Sequence, residues 1–166
     1  YITQNSHYPW MPIPEVVDDW RTLNVLAPDQ EVPSDDDIEH QTRRMNYFNS
    51  IDYELTMLVD YILREGETDD IFVLVGDHQP PRVSRRDDGW DTPMHIISRD
   101  QDLMDTFEQY GFGEGLQIDD IEPSIHHEGF YSMFVRSLLE TYGTDPTNLP
   151  HYRPEGVIIP TNLAKE

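Results

Sequence analysis

Residues 71–81 read IFVLVGDHQPP. Five apolar, mostly β-branched or aromatic residues run without a break, then Gly76, Asp77 and His78 follow, with two prolines just beyond. Such a continuous run suits a parallel strand buried on both faces better than an alternating, half-exposed one. A parallel sheet gathers functional side chains at the carboxyl ends of its strands, and Asp77 and His78 stand at such an end. There they either cap a turn or hold a ligand. Gly76 lets the backbone turn closely. Asp and neutral His are a natural pair for a divalent metal, one giving charge and the other a directional nitrogen. Two ligands do not by themselves make a site, so spacing alone leaves both readings open.

Working outward, residues 1–5 read as a strand and 6–35 as a long loop carrying Pro9, Pro12, Pro14, Pro28 and Pro33. From about 36 to 65, Met45, Phe48, Ile51, Leu55, Leu58, Val59 and Ile62 recur at helical spacing, and Gly66 is placed to end the helix. That stripe reads as core. A second strand is expected at 93–98, PMHIIS. Ser98 and Gln101 then stand in capping-box spacing before a short helix with Leu103, Met104 and Phe107 inward, stopped by Gly111. A last amphipathic helix is expected over 129–142, before Gly143. The predicted class is α/β: a parallel-rich central sheet flanked by helices, over residues 1–143. The Pro-rich, polar tail, 144–166, is expected to wrap the surface or fray.

The 166 residues carry 33 acidic and 11 basic side chains, a formal net charge of −22. This field repels polyanions, so nucleic acid and anionic membrane surfaces are not expected partners. No apolar run reaches the length of a membrane span. Acidic runs such as DQEVPSDDDIE lack the Gly and spaced oxygens of a calcium loop and read as a solvated surface. With no cysteine, disulfides and thiolate ligands are excluded. The opening YITQNSHYPW looks like a strand end running into a loop, as expected of a piece of a larger protein.

Four stretches in order resemble the sulfatase-like branch of the alkaline phosphatase superfamily, which includes lipoteichoic acid synthases and phosphoethanolamine transferases. DDIFVLVGDHQPP looks like the strand-plus-GDH segment of those enzymes. ITQNSHYPW is similar to their SH-aromatic-Pro-aromatic turn, YFNSIDYELTMLVDYI to the helix between the two motifs, and DTPMHIISRD to the strand after the metal loop. The resemblance spans about residues 1–142 and implies part of an alkaline-phosphatase-like fold.

By that resemblance, Asp77 and His78 match paired metal ligands for a divalent ion, with Zn, Mn, Mg and Ca not distinguished. His7 matches the histidine facing the phosphoryl or sulfuryl group or its leaving oxygen. The family nucleophile lies upstream of the SH turn, so the segment is expected to be catalytically incomplete alone and to act on an anionic ester only within its parent. Relatives are often membrane-anchored and work outside the cytoplasm, and the same is expected of the parent. Arg82, Arg85 and Arg86 form the densest basic group, and guanidinium forks suit phosphate and sulfate oxygens. Arg85 and Arg86 are expected to pair with acids such as Asp87 and Asp88, leaving Arg82 as the substrate-side candidate.

The remaining histidines carry less. His126 and His127 read as polar residues near a helix start, His95 as structural. Trp20 and Trp90 read as packing anchors rather than lid residues. In relatives an acidic residue follows the helix tyrosine by two positions. Here Leu55 stands there after Tyr53, so no function is carried onto the helix. The alternative reading is a non-catalytic acidic binding or interaction domain that keeps the fold. A calcineurin-like metallophosphoesterase ranks last, since its early Asp-x-His and later Asn-His patterns are missing from suitable places.

Overall fold

The computed structural model describes residues 2–3, 5–8, 10–11, 13, 19, 21–22, 38–116, 125–145 and 147–157. The named loop prolines and Trp20 lie outside the described residues. The fold mixes helix and strand: α1 (His40–Glu65), β1 (Ile71–Val75), β2 (Met94–Ser98), α2 (Gln101–Glu108) and α3 (His127–Tyr142). The chain divides into two compact units, one of Tyr1–Gly66 with Asp77–Thr92, the other of Glu67–Gly76 with Pro93–Glu166.

In the second unit, β1 and β2 pair antiparallel, with Val73 opposite Ile96 and Leu74 opposite His95. No parallel pair is found among the described residues, where a parallel-rich sheet was expected. A parallel return needs a full crossover, usually a helix. Residues 76–93 contain only a single 3-10 turn, Arg86–Asp88, and their ends meet where the Gly76 amide donates to the Pro93 carbonyl at 2.9 Å. Nor is β1 buried on both faces. Its first four residues are half-buried and Val75 is 48 % exposed. An uninterrupted apolar run sets no strand direction.

The core of this unit is Ile96, Leu103, Phe107, Tyr110 and Met133, with Phe130, Phe134 and Leu138 packed against it. Leu103 and Met133 are fully buried, and Phe107 stacks on Phe134 at 6.2 Å between ring centres. The cap of α2 is not Ser98 but Asp100, whose carboxylate accepts from the Leu103 amide at 3.0 Å. Ser98 ends β2, and its hydroxyl donates to the Asp70 carbonyl at 3.1 Å. The tail lies along α3. Arg136 donates to the Pro150 carbonyl at 2.8 Å and the Arg153 amide to Ser132 Oγ at 2.9 Å, while residues 158–166 lie outside the described set.

In the first unit, α1 ends at Gly66 as its sequence suggests, but its buried face is not the apolar stripe. Met45, Phe48, Leu55 and Val59 are 54, 48, 47 and 49 % exposed, whereas Ser50 and Glu54 are buried. Trp10 lies against Tyr47, and Asn5 against Ser50 and Glu54, and these contacts select the face. Of the strand expected at 1–5, the described residues show none: Ile2 and Thr3 lie outside any strand and Asn5 already opens a turn, while Tyr1 and Gln4 are outside the described residues.

Candidate functional site

All four residues singled out from the sequence, His7, Asp77, His78 and Arg82, belong to the first unit. Trp10 anchors the segment that carries His7. It is 3 % exposed, meets Tyr47 of α1 at 5.2 Å between ring centres, and its indole N–H donates to the Ser6 carbonyl at 3.0 Å. Two polar groups of α1 reach the same turn. Ser50 Oγ donates to the Asn5 carbonyl, and Glu54 Oε1 accepts from the Asn5 amide at 3.1 Å. Burial pushes the Glu54 carboxyl above its ordinary range, and the Asn5 and Ser6 amides pull it part of the way back.

From this mount His7 projects into solvent, and its ring lies 6.2 Å from the ring of His78, nearly perpendicular to it at 82°. Each imidazole turns Nδ1 toward a main-chain carbonyl: His7 to Tyr8 at 2.6 Å and His78 to Gln79 at 2.9 Å. A carbonyl only accepts, so each Nδ1 carries the proton and each neutral ring keeps its lone pair on Nε2. This is how metal-binding histidines are oriented by their surroundings.

Asp77 completes the pair. Its Oδ1 accepts from the His78 amide at 2.9 Å, which holds the carboxylate beside the ring. Its Oδ2 stands 3.6 Å from His78 Nε2, too far for a good hydrogen bond. Two ligands about 2.1 Å from one tetrahedral ion stand roughly 3.4 Å apart, close to this spacing. Both side chains are open to solvent, so an ion and an ester can reach them.

Arg82 sits within a tight turn in which the Ser84 amide donates to the Pro80 carbonyl at 3.1 Å. Its φ of 61° puts a non-glycine residue in the left-handed region, a conformation that surrounding contacts must hold. One such contact is visible. The guanidinium lies 5.4 Å over the Tyr8 ring and donates to the Tyr8 hydroxyl at 3.1 Å. Arg82 is thereby tied to the residue next to His7. Gln79 stabilises the same loop, donating to the Asp91 carbonyl and accepting from Ser84 Oγ at 3.0 Å.

Compared with protein-family models, curated proteins and solved structures, the chain matches none. The reading therefore rests on the residues. Among the described residues no three His, Asp or Glu side chains are grouped to hold a metal ion. No helix of the described residues is long and apolar enough to cross a membrane.

Other candidates fall elsewhere. His126 caps α3 without a side-chain hydrogen bond, 3.8 Å from Glu155. Trp90 is 92 % exposed, which corrects its reading as a packing anchor. A cavity of about 500 Å³ lined by Tyr110, Arg136 and Tyr152 lies in the second unit and holds no acid–imidazole pair. Reading the sequence missed Ser50 and Glu54. The signal was present as polar residues spaced four apart on the face that carries Tyr47, but the eye follows the stronger apolar stripe beside it.

Proposed function

We propose that this chain is the metal- and ester-binding part of a phosphoryl- or sulfuryl-ester hydrolase or transferase of the sulfatase-like type. What supports this most is one observation: Asp77 Oδ2 and His78 Nε2 stand at the separation of two ligands on one ion, with the His7 ring beside them. Asp77 and His78 hold a divalent cation. When bound, that cation supplies positive charge for the developing oxyanion and lowers the pKa of an attacking hydroxyl. His7 presents Nε2 to the transferring group or protonates the departing oxygen. Arg82, steadied by Tyr8, meets the ester's outer oxygens. Against a net charge of −22, such a local inversion is what allows an anionic ester to approach.

In this reading the nucleophile and a further acidic ligand come from residues that precede Tyr1 in the parent protein. The same residues would contribute parallel strands to an alkaline-phosphatase-like sheet, and the enzyme would work on the extracytoplasmic face of a membrane. The test uses the full-length protein with p-nitrophenyl phosphate and p-nitrophenyl sulfate. Metal-dependent release of nitrophenol should fall by about 100-fold or more in Asp77→Ala and in His78→Ala. Metal-independent or unchanged turnover would overturn the assignment. The second reading is an acidic interaction domain, in keeping with the net charge of −22. It predicts no ester turnover under any metal.

A further inference from the structure

We infer that Glu54 of α1, together with Ser50, is a positioning residue that fixes His7 against His78.

Three backbone groups just before His7 are held by side chains. The Asn5 amide goes to Glu54 Oε1 at 3.1 Å and the Asn5 carbonyl takes the Ser50 hydroxyl. The Ser6 carbonyl takes the Trp10 indole at 3.0 Å, and Ser6 Oγ pairs with Thr3 Oγ1 at 2.9 Å. Ser50 is 1 % exposed and Glu54 is 5 % exposed, so these contacts are shielded from water. The next residue, His7, is exposed and meets His78. An exposed ring on an exposed loop would ordinarily sample several orientations. This one follows a turn whose Asn5 amide and carbonyl are both satisfied by α1.

A buried carboxylate is a costly way to stabilise a fold, because an apolar side chain packs there without the desolvation penalty. It does something an apolar residue cannot: it accepts main-chain N–H groups. The raised carboxyl pKa reflects the same desolvation. Glu54 and Ser50 lie one helical turn apart on α1, so a rigid element sets the distance between the two anchor points. The geometric statement stands by itself. Its consequence for catalysis rests on the role proposed above for His7.

NMR of the full-length protein tests this through the cross-peak between the ring protons of His7 and His78, read at one pH. Glu54→Ala should abolish that cross-peak and shift the Asn5 and Ser6 amides while the α1 resonances persist. Glu54→Gln keeps an acceptor oxygen and should restore it. A folded Glu54→Ala protein with the cross-peak intact, or a folded Glu54→Gln protein that has lost it, overturns the inference. Should Glu54→Ala fail to fold, Ser50→Ala replaces it, with the cross-peak expected to weaken and an unchanged one decisive against. Adding zinc ion alone to the wild type separates the two ideas. Unshifted His78 signals would count against the metal reading while leaving the Glu54 result intact.

Discussion

Glu54 and Arg82 are single residues whose local cost has a measurable sign. The Glu54 carboxyl titrates above its ordinary range in the folded state because of burial. A folded pKa raised above the unfolded one gives a stability contribution that is full below the unfolded pKa and lost as pH rises through the folded value. Stability of the wild type relative to Glu54→Gln should therefore fall between acidic and neutral pH, as denaturant melts at several pH values would show. A flat difference would mean that the carboxyl is not desolvated. At Arg82, the left-handed φ of 61° predicts that Arg82→Gly is better tolerated than Arg82→Ala, since both lose the contact with Tyr8 but only glycine relieves the backbone. Thermal melts of the two variants decide it. Asp77, His78 and His7 could be named as candidates because each stands in a short local stretch, GDH or NSHYPW. Glu54 was not, because its role exists only once Asn5 folds back onto α1.

Among the elements, α2 and α3 behave as their patterns suggest, and the errors come from choices between neighbouring faces or caps. Leu103 and Phe107 were legible as core, and Leu103→Ala should cost about 2–5 kcal/mol in urea melts, as the removal of a fully buried leucine does. The cap was misassigned because Ser98 and Asp100 both precede the helix, and only pairing to Asp70 commits Ser98 to the strand end. Asp100 titrates below its ordinary range, chiefly through the Tyr142 hydroxyl at 2.5 Å and then the Leu103 amide. A lowered folded pKa gives stability present above the unfolded pKa and lost as pH falls through the folded one. The advantage of wild type over Tyr142→Phe should accordingly be full at neutral pH and shrink in acid. Along α3, a Cβ at Gly129 would collide with the Pro154 carbonyl oxygen. Gly129→Ala should release the tail and make residues 150–157 more susceptible to proteolysis, with an unchanged digestion pattern as the contrary result. In α1 the apolar stripe misled because hydrophobicity reports which residues prefer burial, not which face another segment reaches first.

For the whole molecule, charge and sheet direction mark the limits of what the chain discloses. The mixed class was legible from one helical period and two short apolar runs. The antiparallel pairing was not, because strand direction depends on how residues 76–93 close. A net charge of −22 implies self-repulsion across the fold. Raising salt shortens the screening length from about 8 Å at 0.15 M to about 3 Å at 1 M. The melting temperature should therefore rise with sodium chloride. A smaller field is the one proposed above, a cation held by Asp77 and His78. Crystals of the full-length protein soaked in zinc and measured at the zinc absorption edge test it most directly. An anomalous peak is expected about 2.0–2.2 Å from Asp77 Oδ2 and His78 Nε2. Zinc bound elsewhere, with these two side chains outside its coordination sphere, would contradict it.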